Sequence, residues 1–412
     1  TQAQWISRMK GCIVCHQMGN KYIREIPESI GRMPSLQAWQ HRTNVGQFGS
    51  SMTRRMGRFG RDRFLKMLAD WTDRIAAGEL PPQPPRPQGV ERNLVVSMWD
   101  WSDQYSFVHD SASTDKRNPT VNPYGPVYAS GRLKPPDLVV VYPRENRQEG
   151  LTSPMRNPDV RWKDNYPAEW KGLNNPRAPQ GMGHPSLTWG TQKIWQGIVL
   201  GHNPMLDHKA RVWQTQAVVS PEADRSFCEA GSSHPSAKYF PLDLKKNPEP
   251  YMGAFRHLAV WDPQTRDWTL IHTCAGSHSL QFADDDNHTL WVSNQGQVLG
   301  WLNTKLFDET GDEQKAQGWT PYILDTNGNG KVDEWVGPDD PIDPTKDQRI
   351  RGGSYGIAWN PVDGSIWTST AGTGNNPVGT EAAIIRVSPG SNPPYTTLSE
   401  RYEAPIVGAL PR

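Results

Sequence analysis

Cys12-Ile13-Val14-Cys15-His16 constrains this chain more than any other segment. Two thiols three positions apart can add to the two vinyl groups of one haem, and the adjacent imidazole can ligate its iron. The competing readings are a chance pair, a redox dithiol or half a zinc site. A dithiol belongs at a helix start in a thioredoxin-like βαβ unit. A zinc site needs a second ligand pair nearby, yet the next cysteine is Cys228. The motif therefore predicts one haem c held covalently by Cys12 and Cys15, with His16 as an axial ligand. Covalent haem places the chain outside the reducing cytoplasm, in a periplasmic or other extracytoplasmic compartment. Cys228 and Cys274 can pair there, or remain two separate buried thiols.

Residues 1 to about 80 read as helical. In Asp62–Ala77, Phe64, Leu65, Leu68, Trp71 and Ile75 recur on one helical face, and Gly78 stands where a C-terminal cap belongs. Pro81-Pro82-Gln83-Pro84-Pro85-Arg86-Pro87 then forbids helix and reads as a stiff linker. Three segments follow from this: a haem domain over 1–80, a linker over 81–92 and a large domain over 93–412.

Beyond the linker, short apolar runs such as Asn93–Trp99, Asp137–Tyr142 and His257–Trp261 alternate with Gly, Pro, Asn and Asp, which is strand and turn punctuation. A repeat runs through them. His202-Asn-Pro-Met-Leu leads to Arg211-Val-Trp-Gln-Thr, and His278-Ser-Leu-Gln-Phe leads to Thr289-Leu-Trp-Val-Ser. Tyr355-Gly-Ile-Ala-Trp leads to Ser365-Ile-Trp-Thr-Ser, and a longer copy runs from His109 to Pro126-Val-Tyr-Ala-Ser. Third and fourth strands follow some copies, as in Leu258–Leu270 and Ala383–Pro389. Four-stranded units repeated in this way predict an all-β domain of β-propeller type. Four copies are fewer than most closed propellers need, and the chain stops near Gly408 where another blade would open, so either further blades have diverged beyond recognition or, the favoured expectation, the propeller is incomplete here.

The first 80 residues resemble a class I c-type cytochrome: a short helix before Cys12–His16, a loop, and a C-terminal amphipathic helix. Met56-Gly-Arg-Phe-Gly60 is similar to the family's methionine segment, which implies Met56 as the second axial ligand. Met52 is the alternative, His41, Met67 or an open position remain further choices, and a core methionine is the bland reading of Met56. Pro27 resembles the proline whose carbonyl receives the axial imidazole N–H. Arg54, Arg55, Arg58, Arg61 and Arg63 read as partners for haem propionates, as a surface for an acidic redox partner, or as a solvated helix start.

The propeller repeats resemble those of the streptogramin lyase-like propellers, in which such strands open with His or aromatic residues near the active end. The whole chain is similar to bacterial secreted proteins joining the two modules. The resemblance implies that His109, His202 and His278, each leading an innermost strand, converge at a channel mouth. There they can bind zinc, copper or iron, serve catalysis, or fill the channel without a role. His184 and His234, both in His-Pro-Ser, are weaker candidates.

Asp325-Thr-Asn-Gly-Asn-Gly-Lys-Val-Asp333 looks like the first part of an EF-hand or dockerin-type Ca²⁺ loop within 325–340. Asp325, Asn327 and Asn329 occupy positions 1, 3 and 5, the Lys331 carbonyl position 7 and Asp333 position 9. Position 12 is Val336, so a carboxylate must come from elsewhere, with Asp339 or Asp340 as the nearest choices; the other reading is a metal-free turn. PQQ enzymes also combine propellers, Ca²⁺ and cytochrome domains, but their repeated tryptophan-docking pattern is absent, so PQQ is not expected.

Net charge is +1 over 412 residues, so no global field argues for nucleic acid. No apolar run approaches the ~18 residues of a membrane span. No signal-peptide pattern opens the chain at Thr1, so an exported protein is expected to have lost its leader. Taken together, the sequence predicts an electron-transfer protein or oxidoreductase that uses a redox partner protein and a small-molecule substrate. The alternatives are a non-catalytic electron-wire subunit and a metal-dependent propeller lyase with an accessory haem.

Overall fold

The computed structural model describes residues 1–10, 12, 19, 21–44, 49–96, 107–132, 137–154, 201–216, 225–243, 257–293, 298–350, 354–370 and 383–403. Cys15, His16 and His184 lie outside these residues, as does the side chain of His109. The described residues divide into two compact units, one ending at His109 and the other starting at Asp110.

The first unit is helical: α1 (Gln2–Met9), α2 (Lys21–Arg24), α3 (Ser35–Asn44), α4 (Gly49–Gly57) and α5 (Arg61–Ala76). Helix α1 starts on a reciprocal cap, in which Thr1 and Gln4 each accept the other's backbone N–H. Helix α5 buries Phe64, Leu65, Leu68, Ala69 and Thr72, the apolar stripe that its 3.6-residue period dictates. It ends where Gly78 takes φ 83°, a conformation that a Cβ would disfavour, and donates to Ile75 O. The α5 stripe packs with Trp39, Met56 and Phe59 into one core. The proline-rich stretch after it is exposed and leads into a 3₁₀ turn at Gly89–Asn93. Leu94, Val95 and Val96, expected to begin a strand, lie in no strand and are exposed.

The second unit is mostly β and contains four sheets, one for each copy of the repeat. The first comprises Phe107–Ser111, Val127–Arg132, Leu138–Tyr142 and Arg147–Leu151. The second comprises His202–Leu206, Val212–Gln216, His257–Asp262 and Asp267–Ile271, with Ser113–Thr114 added parallel to its leading strand. The third runs through Leu280–Phe282, Thr289–Val292, Val298–Asn303 and Gln317–Pro321. The fourth runs through Ser354–Trp359, Ile366–Thr370, Ala383–Ser388 and Leu398–Glu403, extended by Ile323–Leu324, Asp347–Arg349 and Trp335–Val336. Within each, the four main strands are neighbours in chain order.

Three seams join successive sheets. Tyr128, Leu138 and Val140 of the first meet Leu206, Val212 and Trp261 of the second. Met205, Trp213 and Leu258 meet Phe282, Leu290 and Leu302 of the third. Trp291 and Leu299 meet Ile366, Ile385 and Val387 of the fourth. A sheet covered on both faces needs continuously apolar strands, and Leu138–Val141 is buried at every position. The strand Asp267–Ile271, last in its sheet, alternates between exposed and partly buried positions before ending on the buried Ile271. Gly201 fits one of these seams: a Cβ there would lie 2.9 Å from Asp137 O and 3.0 Å from Gly131 O.

Candidate functional site

In the first unit Cys12 is the one described residue of the Cys12–His16 segment, and it lies against the helical core. Cys12 packs against the core cluster that contains Met56, Phe59, Phe64 and Leu68. Met56 is 5% exposed, whereas Met52 is only partly buried. Met67 is engaged elsewhere, because its sulfur accepts the Trp5 indole N–H at 3.2 Å. The Pro27 carbonyl accepts the Ile30 N–H at 3.0 Å, which leaves one of its two lone pairs for another donor. Arg54, Arg55, Arg58 and Arg63 are exposed, and Arg63 lies over the Trp5 ring at 5.1 Å. An open pocket of about 630 Å³ nearby is lined by Trp5, Arg8, Phe59, Arg63 and Met67, and neither Cys12 nor Met56 reaches it.

In the second unit three leading strands, and the residues just before the leading strand of the third sheet, contribute to one cluster. His202 Nδ1 lies 2.6 Å from Asp110 Oδ2. The His202 and His278 rings are 4.4 Å apart, and the His278 and Tyr355 rings are also 4.4 Å apart. A second chain of contacts runs beside the rings. Asn203 N donates to Asp110 Oδ2 at 2.9 Å, and Asn203 Nδ2 donates to His278 O and Ser279 Oγ at 2.8 Å. Ser279 Oγ and Ser293 Oγ each donate to Tyr355 O at 2.9 Å.

The local sequence explains this geometry. Pro204 has no N–H for a sheet ladder, and the pairing register shifts between His202 and Met205. Asn203 takes φ 44° there, a left-handed conformation that asparagine tolerates. This bulge turns the Asn203 N–H toward Asp110. A matching shift occurs between Ser354 and Ile357 in the fourth sheet, around Gly356.

Chemically, the cluster is a carboxylate–imidazole pair flanked by a second imidazole and a phenol. Asp110 and His202 Nδ1 form a close carboxylate–imidazole contact, an ion pair when the imidazole is protonated, and it fixes the orientation of the ring. Among the described residues, no three His, Cys, Asp or Glu side chains are already placed to hold a metal ion. Next to the cluster, Asp137 is 3% exposed, and burial pushes its carboxyl up to about 7 even though Ser153 N donates to it.

His234 has a structural role. Its Nδ1 accepts Ser236 N and caps α6 (Pro235–Tyr239), its Nε2 donates to Gln314 O and Gln317 O, and its ring stacks on Trp319 at 4.8 Å. Burial pushes its pKa down. Cys228 and Cys274 are joined in a disulfide, with Cα atoms 5.6 Å apart.

In the acidic loop, Asp325 accepts the N–H groups of Gly328, Asn329 and Gly330, and Gly330 takes φ 72° at the sharp turn. Asn327 and Asn329 both direct their amide N–H groups at Asp333 Oδ2. Asp339 is exposed, and Asp340 closes its own turn onto Gly337 N. Val336 pairs with Gln348 in the sheet, so it offers the loop nothing.

The sequence reading did not single out Asp110, Asn203, Asp137 or Asp347. For the first two a signal existed: the residues following the leading His or Tyr are Asp110, Asn203, Ser279 and Gly356, equivalent positions of one repeat.

Among the described residues, no helix is long and apolar enough to cross a membrane. No family model matches the chain, and no curated protein matches it. Solved structures with similarity include PorZ, an essential bacterial surface component of the type-IX secretion system of Porphyromonas gingivalis, at TM-score 0.34 and 11% identity over 72% of this chain. Another is Pseudomonas fluorescens PhoX in complex with vanadate, at TM-score 0.28 and 13% identity over 67% of this chain. The chain spans 28% of the PorZ chain and 57% of the PhoX chain.

Proposed function

We propose that this chain is an extracytoplasmic c-type haem protein, in which a cytochrome c-like unit carries electrons for a β-propeller that binds a small substrate or a redox partner. The observation that carries this reading is the packing of Cys12 against an apolar core in which Met56 is buried. A haem needs an apolar wall, two thioether anchors and two axial ligands. Cys12 and Cys15 would be the anchors, and the His16 nitrogen and Met56 sulfur the axial ligands. A haem so held supplies single-electron transfer, and specificity must then come from the protein. The Cys228–Cys274 disulfide agrees with an oxidising compartment.

For the second unit, four sheets, each with four main strands in chain order and stacked through three seams, support a propeller arrangement. The Asp110–His202–His278–Tyr355 cluster, drawn from the leading edge of each sheet, then lies where propeller channels open. Asp110 orients His202, Asn203 and Ser279 hold neighbouring strands in register, and the paired imidazoles of His202 and His278 are the groups that would handle a proton.

The test is expression in a host able to attach haem, followed by haem staining on a denaturing gel, metal analysis and reduction with candidate donors. Iron bound one to one, retained after denaturation and lost in Cys15→Ala, is the expected result. An iron-free protein, or zinc in its place, overturns the proposal. The Asp110–His202 contact favours one second reading, a propeller lyase with an accessory haem. In that case His202→Ala abolishes a turnover that survives loss of the haem.

A further inference from the structure

The acidic loop was left one carboxylate short by its sequence, and the fold brings a carboxylate to it from another strand. Ile323–Leu324 enters the loop and pairs antiparallel with Asp347–Arg349, with Leu324 opposite Gln348. One step further along this register, Asp325 comes beside Asp347. On the other flank Trp335 pairs with Asp347, and Asp347 N donates to Glu334 O at 2.9 Å. Asp347 thus stands where the start and the end of the loop meet. Its Oδ2 accepts Asp333 N at 2.8 Å.

Asp347 is fully buried, and its other oxygen, Oδ1, has no hydrogen-bond partner. A buried carboxylate oxygen without a donor is expensive unless something positive occupies the space before it. Lys346, the adjacent cation, is turned to Glu334 at 2.9 Å instead.

We propose that Asp347 completes a Ca²⁺ site with Asp325, Asn327, Asn329, the Lys331 carbonyl and Asp333, in place of the carboxylate missing at Val336. The oxygen-only donor set and the three carboxylates suit a hard divalent cation that accepts 6–8 oxygens, as Ca²⁺ does. The Asn327 and Asn329 amides donate to Asp333. A half-turn of each amide presents oxygen in place of N–H, so the side chains close on the ion only as it binds. Bound there, the ion pins the loop to the edge of the fourth sheet and takes no part in electron transfer.

The test is calcium chloride titration of the full chain, followed by calorimetry and by thermal unfolding in calcium against chelator. The wild type is expected to bind one Ca²⁺ and to melt higher with it. Asp347→Asn is expected to weaken binding at least tenfold, while Asp339→Ala binds like the wild type. Without calcium, Asp347→Asn should melt no lower than the wild type, since it removes a buried charge, and this separates loss of a ligand from loss of fold. A wild type that binds no Ca²⁺, an Asp347→Asn protein with unchanged affinity, or a loss of binding in Asp339→Ala overturns the assignment.

Discussion

Asp110 Oδ2 receives both the His202 Nδ1 contact, at 2.6 Å, and the Asn203 N–H, at 2.9 Å, and so ties the leading strands of the first and second sheets together. Ser130 Oγ donates to the same oxygen at 3.4 Å. Asp110→Ala deprives these donors of their acceptor in a largely enclosed site, and a loss of ~2–4 kcal/mol is expected. Asp110→Asn keeps an oxygen in place and should lose about half as much. Urea unfolding of the two variants checks the order; equal losses would mean that the carboxylate acts only through packing.

Asp137 predicts a pH dependence with a definite sign. Its folded pKa, about 7, lies above the ordinary 3.8, so between these values the folded chain holds a proton that the unfolded chain has released. Stability therefore falls as pH rises from about 4 to above 7, and the full penalty is present beyond that. Asp137→Asn keeps an acceptor for Ser153 N and removes the titration. It should be more stable than the wild type by ~2–4 kcal/mol at pH 8 and equal to it near pH 4. Unfolding at the two pH values decides this, and identical pH profiles would refute it.

Asp137 and Asp347 show where sequence reasoning reached its limit. The repeat was legible because each sheet spells the same alternation of leading aromatic, strand and turn, and because strands covered on both faces must be apolar. Proline and glycine likewise announced the end of α5 and the linker. Asp347 was not legible: it stands well beyond Val336, and its bearing on the loop follows only from the Leu324–Gln348 register. Asp137 reads as an ordinary strand boundary until the seam at Gly201 buries it. Leu94–Val96 has strand-forming residues without a strand, because propensity counts for little where no partner edge is supplied.

The disulfide and the haem motif together fix a thiol count. Cys228 and Cys274 are bridged across 46 residues and buried beside Trp319. If Cys12 and Cys15 are thioethers, the denatured chain has no free thiol before reduction and two after it, from its four cysteines. Without haem the counts become two and four. Replacing both bridged cysteines with serine should lower stability by ~2–4 kcal/mol, mainly by freeing the unfolded chain. A variant that unfolds at the wild-type urea concentration would refute this.

Met56 and Met67 occupy one core with opposite assignments. Met56 is buried in the cluster that Cys12 joins, whereas the Met67 sulfur already serves as acceptor for Trp5. Leucine keeps the volume of either side chain at a cost of about 1.5 kcal/mol or less, and removes its sulfur. Met56→Leu is therefore expected to fold, to lose the iron–methionine absorption of the oxidised protein and to shift the midpoint potential downward, since a thioether ligand raises it. Met67→Leu should leave spectrum and potential unchanged and lose only the indole contact, ~1 kcal/mol. If the band persists in Met56→Leu and disappears in Met52→Leu, the ligand lies one turn earlier in α4, and the apolar setting of Met56 is core packing alone.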